Sequence, residues 1–203
     1  MNRLVGSTLI IFLLCLATQF ATAQAPKISN DLEHDRIYKE ALKLISPNIK
    51  LQERDGTLST QSKRDLENGI SLLRAVNNYQ PKNWGAFWFS GKASQALGDP
   101  ASAHASFAKA YDIEEKNPDV SREYALACIE LGLGKNAVQA TKRAILLAPR
   151  DAGLYSNLAL AHLISAENKD ALNAVEKALE MNPRDPISLS VREYVLDVSS
   201  GIQ

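Results

Sequence analysis

Three glycine and lysine positions in this 203-residue chain come near a motif that binds phosphate. Gly85 and Gly91–Lys92 suggest a glycine-rich loop, in which the absence of side chains lets backbone N–H groups hold phosphate oxygens. Five residues separate the two glycines where the motif needs four, and Ala93 stands where it needs Ser or Thr. We therefore predict that Gly91 serves helix packing.

The histidines and the cysteine of the main part of the chain are isolated from other reactive groups. No carboxylate or cysteine lies at metal-ligand spacing from His34, His104 or His162. We expect His162 to be packed inside a helix pair and Cys128, between apolar neighbours, to be an inert buried thiol. We predict no catalytic, cofactor-binding or metal-ligating residue and expect a protein that is not an enzyme. An enzyme with an N-terminal site is the alternative.

The charge balance excludes two common classes of partner. Lys plus Arg and Asp plus Glu both number 23, so no basic surplus favours nucleic acid or an anionic membrane surface. We accordingly expect no nucleic-acid partner.

The element that would position any functional residue is a repeat of 34 residues. Small residues recur at this period between residues 84 and 185, which is typical of stacked helix pairs. Two antiparallel helices joined by a short turn approach closely only where both carry small residues. Larger residues follow the same period at Phe107, Thr141 and Val175. The small columns are Gly91, Ala125 and Ala159; Ala103, Ala137 and Ala171; Ala110, Ala144 and Ala178.

Helix ends can also be predicted within these units. Asp99 is expected to cap a helix that begins at Pro100, and Asn168 is expected to cap the corresponding helix of the third unit. Glu115 occupies the place where the later units carry Pro149 and Pro183, so we expect the second helix of the first unit to run on.

These residues resemble the tetratricopeptide repeat. Residues 152–185 match its pattern best, residues 118–151 have Ser121 where the family prefers an aromatic, and residues 84–117 lack the proline. The resemblance implies an all-α fold, a right-handed α-solenoid of antiparallel helix pairs with a C-terminal capping helix. The matching residues are Phe87, Gly91, Gly98, Ala103, Phe107 and Ala110; Tyr124, Ala125, Gly132, Ala137, Ala144 and Pro149; Tyr155, Leu158, Ala159, Ala171, Val175, Ala178 and Pro183.

Residues 1–23 are predicted to form a secretory signal peptide. Arg3 precedes an unbroken apolar run from Leu9 to Ala17, and Ala21–Thr22–Ala23 has the small-x-small pattern of a cleavage site. An uncleaved membrane anchor is the alternative, although the apolar run is short for a span. We expect an exported protein, periplasmic or secreted, without stable membrane insertion after cleavage.

Residues 24–83 are predicted to form an N-terminal helical region with a degenerate repeat. Residues 24–30 are expected to be a flexible lead, and residues 31–45 a helix that Ser46–Pro47 ends. A loop over residues 48–59 and a helix over residues 60–79 should follow.

Residues 186–203 are predicted to form a capping helix and tail. Leu189, Tyr194 and Leu196 give this helix its apolar positions, and Glu193 falls in the phase of the small column that starts at Gly91. A charge there suits a helix on which no further unit packs.

Each repeat unit consists of a first and a second helix. On the first helix of each unit, one row of side chains is not expected to contact the second helix of the same unit, and we call this row the stripe. Stacking would turn these stripes into a groove that holds a protein or peptide partner. Trp88 and Arg122 are the preferred anchors, because Trp and Arg are frequent binding hot spots. Lys92 and Arg122 would meet acidic groups of the partner. The predicted partner-binding residues are Trp88, Lys92, Gln95, Arg122, Leu126, Ile129, Ser156, Leu160, Leu163 and Tyr194.

Two alternatives to this interpretation stay open. Trp88 could pack against the degenerate N-terminal unit instead of a partner. The chain could also be a structural or assembly subunit of a cell-envelope complex rather than a non-catalytic binding scaffold. Some relatives hold a chaperone's C-terminal carboxylate with a lysine, asparagine and arginine clamp. Here Trp88 and Leu126 occupy places where the clamp needs polar groups, so that activity is not expected.

Overall fold

The computed structural model describes residues 25–55 and 58–200 of the chain. Within these ranges all regular structure is α-helical, which confirms the predicted all-α fold. The helices are α1 (Asp31–Asp55), α2 (Thr60–Tyr79), α3 (Trp84–Ala96), α4 (Pro100–Ile113), α5 (Pro118–Glu130), α6 (Gly134–Leu147), α7 (Ala152–Ile164), α8 (Asn168–Met181) and α9 (Pro186–Ser200).

The helix boundaries follow the predicted period. First helices begin at residues 84, 118, 152 and 186, and second helices begin at residues 100, 134 and 168. The first helices α3, α5 and α7 each have 13 residues, and their partners α4, α6 and α8 each have 14. The 34-residue spacing in the sequence is therefore the spacing of helix pairs in the fold.

The small columns lie where the two helices of each pair meet. The two small columns that begin at Gly91 and at Ala103 are buried in all three units. A methyl group added at Gly91 would lie 2.5 Å from Cε1 of Phe107, so the ring of α4 occupies the space that a side chain on α3 would need. Gly69 of α2 packs in the same way on Ile45 of α1, because a methyl group added at Gly69 would lie 2.5 Å from Cγ1 of Ile45.

The stacking of the pairs produces an inner and an outer row of helices. Each pair packs along its own length, and α1 contacts α3, α5 contacts α7, and α7 contacts α9. Among the described residues, the second helices α4, α6 and α8 make no comparable contacts with one another. Because these first helices lie closer together, and Lys92 of α3 reaches Glu123 of α5, the first helices form the inner wall of the stack.

The turn between the two helices of each pair contains one residue in the left-handed backbone conformation, at the same position of every repeat unit. Gly98 and Gly132 have φ angles of 74° and 71°, and Ala166 adopts 58° at the equivalent position of the third unit. Glycine reaches this region without strain, whereas alanine does not. The predicted cap at Asp99 is confirmed, because its Oδ1 accepts the N–H of Ser102 at 3.0 Å. The predicted cap at Asn168 is wrong, since Asn168 is already helical.

Helix α4 ends at Ile113 and does not run on as expected from Glu115. The guanidinium group of Arg143 on α6 replaces the missing helix stop. It donates hydrogen bonds of 2.8 Å to the Tyr111 carbonyl and 2.9 Å to the Ser121 hydroxyl, and its carbon lies 3.2 Å from the centre of the Tyr111 ring. The carbonyl groups at the end of α4 are thus satisfied from the next unit.

Helix α1 continues through Pro47, so the predicted stop and the predicted loop over residues 48–55 are wrong. A proline inside a helix removes a hydrogen bond and opens the preceding turn. The side-chain amide of Asn48 donates to the Leu44 carbonyl at 2.7 Å in that turn. Ile45 is fully buried against α2, and this packing favours the helix over the local proline signal. Residues 56 and 57 lie outside the described ranges.

The segment before α1 is packed, in contrast to the predicted flexible lead. Ile28 is buried in the N-terminal core cluster, and Ala25 packs against it. The predicted signal peptide lies outside the described residues. None of the described helices combines the length and apolar character that a membrane-spanning helix needs.

The packing face of α9 differs from the predicted one. Val191 and Val195 are buried against the third unit, whereas Leu189, Tyr194 and Leu196 are exposed. The helix therefore covers α7 and α8 with its valines and leaves larger apolar side chains in contact with solvent. Glu193 is exposed, as expected for this position.

Candidate partner-binding surface

The predicted partner-binding residues follow the inner row of helices. Helix α3 carries Trp88, Lys92 and Gln95 at one end of the row, and Tyr194 of α9 lies at the other. The groove is therefore a surface made by residues from four consecutive first helices. Its two ends differ in chemistry.

Trp88 packs towards the second unit and not towards the N-terminal unit. It is half-buried against the core cluster that contains Phe107, Tyr124 and Ala125, and its ring meets Phe89 edge-on at 5.0 Å between centroids. Its Nε1 is buried and has no hydrogen-bond partner within the described part of the chain. The side chain helps to join the first two units, so its role includes stability.

The cations of the groove are paired within the chain. Nζ of Lys92 donates to Glu123 at 3.3 Å and to Gln95 at 3.3 Å, which links α3 to α5. Arg122 forms an ion pair with Asp151 at the start of the third unit and a second one, at 3.4 Å, with Asp119. These carboxylates neutralise the positive charges that were expected to attract acidic groups of a partner.

An apolar pit of about 250 Å³ occupies the C-terminal end of the groove. Helix α5 contributes Ile129, α7 contributes Leu160 and Leu163, and α9 contributes Tyr194. Tyr194 is 58% exposed, so the pit is open to solvent at its rim. The structure thus brings four of the ten predicted residues together in one concave apolar site.

Two further residues of the pit were not predicted. Ile164 and Val198 complete its lining, although neither lies on the stripe that helical spacing selects. Ile164 could have been found from the sequence, because it is an apolar residue directly after the predicted Leu163. The position of Val198 depends on how α9 is rotated on α7, which the repeat pattern does not determine.

Ser156 does not line the groove, although it was predicted to. Only 3% of it is exposed, and its hydroxyl lies 2.6 Å from the hydroxyl of Ser188 on α9. Helix α9 covers this position of the stripe because Ser188 is small enough to pack directly on Ser156. Leu126, the remaining predicted residue, is half-buried and lies between Arg122 and Ile129 along α5.

The reactive residues also have structural partners. Cys128 is fully buried, and burial raises the pKa of its thiol, which agrees with the predicted inert thiol. His162 is buried as predicted, but its Nδ1 lies 2.5 Å from Glu167. His162, Glu167 and Asp170 offer potential ligand atoms within 4.8 Å of one another, so the expectation that no carboxylate joins a histidine is wrong. The His162–Glu167 contact closes the turn between α7 and α8.

A larger cavity lies on the outer side of the N-terminal pairs. It has a volume of about 1040 Å³ and is bounded by residues of α2, α3 and α4. Its lining mixes Arg74 and Lys109 with Glu67, Asp112 and several serines and asparagines. This cavity was not predicted, because its walls come from the gap between α2 and α4 and from no repeated motif.

Comparisons with known proteins agree with the repeat geometry. Residues 94–163 match the family model for the tetratricopeptide repeat. No curated protein sequence matches the chain.

Several solved structures share the fold. MamA from Desulfovibrio magneticus RS-1 superposes with a TM-score of 0.62 at 18% identity, over 80% of this chain and 86% of that one. YrrB, a protein with an unusual peptide-binding site, gives 0.58 at 14% identity, over 80% and 89%. The first tetratricopeptide-repeat domain of Spaghetti (RPAP3), bound to the HSP90 peptide SRMEEVD, superposes with a TM-score of 0.53 at 18% identity, over 59% of this chain and 94% of that one. The chain is thus a helical solenoid that shares the fold of these structures, and its residues 94–163 match the tetratricopeptide-repeat model.

Proposed function

We propose that this protein is a non-catalytic scaffold that holds a protein or peptide partner in its concave groove. The observation that carries the proposal is the pit formed by Ile129, Leu160, Leu163 and Tyr194. Concave apolar sites with a few polar groups at their edge are the usual form of a binding site. The similar domain of Spaghetti is bound to an HSP90 peptide, and YrrB has a peptide-binding site, and both likenesses support the same general role here.

The chemistry of the groove favours an apolar anchor on the partner. Lys92 and Arg122 are already paired with Glu123, Asp151 and Asp119, so an acidic partner would have to displace these carboxylates. The pit offers apolar area that is partly open to water, and its burial stabilises a complex by about 25 cal/mol per Å² before ordering costs. We therefore propose that a large apolar side chain of the partner enters the pit.

This mode differs from recognition of a carboxylate-terminated chaperone peptide. Trp88 and Leu126 stand where such a clamp needs polar groups, and both are half-buried. An amphipathic helix or an extended segment with apolar anchors fits the groove better. Trp88 on α3 and Arg122 on α5 would contact residues of the partner that flank the anchor.

The binding test uses selection from a library of random displayed peptides on the immobilised protein. We expect the selected peptides to share a large apolar residue. Tyr194→Ala should weaken their binding at least about tenfold, as expected for loss of an interfacial aromatic hot spot. Leu146→Ala is the matched control, because Leu146 is 81% exposed on α6, outside the pit.

Salt dependence separates the apolar anchor from charge recognition. Raising the salt concentration from about 50 mM to about 500 mM should change the affinity less than about threefold, because exposed unpaired charges would be screened and apolar contacts are not. Selection of acidic peptides whose binding collapses with salt would contradict the apolar pit. Equal losses for Tyr194→Ala and Leu146→Ala would also contradict it.

We also propose that the chain acts outside the cytoplasm. The support is the sequence pattern of residues 1–23, with Arg3, the apolar run and the small residues before Gln24. N-terminal sequencing of the protein from producing cells should start at Gln24. Recovery of the chain from the cytoplasm with Met1 intact would contradict export, and its retention in membranes would favour an anchor.

A further inference from the structure

The cavity of about 1040 Å³ between α2, α3 and α4, here called the outer cavity, shares no residue with the predicted partner-binding surface. Helices α2 and α4 form its walls, and α3 forms its floor. Both walls pack on α3, but among the described residues they make no comparable contacts with each other. The volume lies at the upper end of the range for pockets that hold small molecules. The outer cavity is therefore a separate space that is large enough for a small-molecule ligand.

The repeat spacing places two cations of the outer cavity opposite each other. Leu73 of α2 and Phe107 of α4 are fully buried and 34 residues apart, so they are equivalent positions of consecutive units. Arg74 follows Leu73 by one residue, and Lys109 follows Phe107 by two. The two cations thus differ by one residue, or about 1.5 Å, in height along their helices. Since both line the cavity, they reach the same part of it from opposite walls.

Neither of these cations has an acidic partner. Arg74 and Lys109 form no ion pair within the described part of the chain. Nζ of Lys109 lies 5.2 Å from the centre of the Phe87 ring on the floor of the cavity. An ammonium group above an aromatic face keeps its N–H donors for a further group. Two unpaired cations on opposite walls favour a ligand that carries an oxyanion.

The carboxylates of the lining lie away from this position. Glu67 precedes Arg74 by seven residues, which is about 10 Å along α2. Asp99 already accepts a backbone N–H at 3.0 Å at the start of α4. Asp112 comes one turn after Lys109, at the end of α4. The negative charges therefore lie towards the two ends of the outer cavity, with the positive charges between them.

Two polar side chains of the lining have unused capacity for hydrogen bonds. Ser94 is 4% exposed, and its hydroxyl group makes no hydrogen bond within the described residues, whereas the hydroxyl of Ser90 donates to the Ala86 carbonyl at 2.9 Å. Oδ1 of Asn77 is buried and also has no partner there, and rotation about the last side-chain torsion would turn it towards a donor in the cavity. Because buried polar groups are normally hydrogen-bonded, these two side chains point to a ligand with polar atoms.

Apolar surface adjoins the cations on both walls. Ile70 precedes Arg74 by about one turn, Ala105 precedes Lys109 by about one turn, and both line the outer cavity. On the floor, Leu97 lies about one turn after Ser94. A ligand that complements this space has an anionic group next to a compact body with both apolar and hydrogen-bonding atoms.

We propose that the outer cavity binds a small organic carboxylate. The carboxylate lies between Arg74 and Lys109, the apolar part of the ligand packs on Ile70 and Ala105, and a polar group of the ligand meets Ser94. This site is independent of the partner groove, because the two are lined by different residues. The protein then carries a small-molecule site in addition to its surface for a partner.

The test is NMR spectroscopy of the isotope-labelled chain, in the form that accumulates in producing cells, with N-acetyl-L-valine as the probe. This probe combines a carboxylate, an amide and a branched apolar side chain. We expect saturable shifts of backbone amide signals from α2, α3 and α4, with a dissociation constant of roughly 1–10 mM for a ligand of this size. N-acetyl-L-valinamide, which lacks the charge, should bind at least about fivefold more weakly.

Substitutions of the two cations locate the carboxylate. Arg74→Gln and Lys109→Gln should each weaken binding of N-acetyl-L-valine at least about threefold, because each removes one charge-assisted hydrogen bond. Both residues are exposed, so the fold should tolerate either change. Lys142→Gln is the matched control and should leave the affinity unchanged, because Lys142 is exposed on α6, outside the outer cavity.

Several results would overturn the proposal. One is the absence of shifts at up to about 50 mM of the probe, or shifts confined to the residues of the pit. Another is equal binding of N-acetyl-L-valine and its amide. Equal losses in Arg74→Gln, Lys109→Gln and Lys142→Gln would also contradict it, and so would tighter binding of inorganic phosphate to the same residues.

Discussion

Gly91→Ala should destabilise the protein, although the same change inside an ordinary helix would stabilise it. Alanine exceeds glycine in helix propensity by about 1 kcal/mol. At Gly91 the added methyl group would lie 2.5, 2.6 and 2.8 Å from three ring atoms of Phe107, well inside the usual carbon–carbon distance of about 3.5–4.0 Å. The ring of Phe107 is fully buried and cannot turn outwards.

The expected change in the free energy of unfolding is the balance between the gain in helix propensity and the cost of overpacking against Phe107. Overpacking a buried site costs roughly 1–3 kcal/mol, and after the gain in propensity we expect a net loss of about 1–2 kcal/mol. The equivalent pairs of the later units are Ala125 with Thr141 and Ala159 with Val175. The smaller residue on the second helix leaves room there for the alanine of the first.

A double-mutant cycle tests this relation directly. Phe107→Val alone should cost about 2–3 kcal/mol, because it leaves a cavity. Combined with Gly91→Ala, it recreates the pair found in the third unit, so the double variant should lose at least about 1 kcal/mol less than the sum of the single changes. Urea unfolding followed by circular dichroism at 222 nm measures all three variants. Additive losses, or a stabilising Gly91→Ala, would refute the proposed packing.

Three further changes test other parts of the structure. Ala166→Gly should stabilise the protein by roughly 0.5–1 kcal/mol in the same unfolding assay, because the φ of 58° is strained for alanine; a loss of stability would contradict the turn geometry. Cys128 should react with a thiol reagent only at the rate of unfolding, since burial protects the thiol and raises its pKa; rapid labelling of the native protein would show that it is exposed. Hydrogen bonds from Ser188 lower the pKa of Asp185 below 3.8, so this cap stabilises α9 fully above that pH and is lost as the pH falls through the lowered value. The protection factors of the α9 amides, which correct for the slower intrinsic exchange at low pH, should therefore fall in acid for the wild type and fall less for Asp185→Asn, which keeps the cap without the charge; equal acid sensitivity of the two proteins would contradict this role.

The repeat units could be predicted closely because their determinants are local. Small residues at fixed spacing permit one close helix crossing per unit, so Ala103, Ala137 and Ala171 locate α4, α6 and α8. The 34-residue spacing then determines the first helices as well. Helix α1 was predicted less well, because packing of Ile45 against α2 outweighs the local effect of Pro47.

The groove was predicted only in part, since its chemistry depends on contacts between units. Helical spacing identified Ile129, Leu160, Leu163 and Tyr194, which meet in the pit. Spacing could not show that Lys92 reaches Glu123, because that partner lies 31 residues away on another helix. Similarly, the burial of Ser156 depends on how α9 is rotated on α7, which the spacing of the repeats does not determine.

Photo-crosslinking in living cells tests the proposed binding surface most directly. A photoreactive amino acid placed at Tyr194 samples the pit, and the same amino acid placed at Leu146 samples an exposed position outside it. We expect a discrete adduct with another protein at position 194 and none at position 146. The same adducts at both positions, no adduct at position 194, or only an adduct with a second copy of the chain at position 194 would contradict a partner held in the pit.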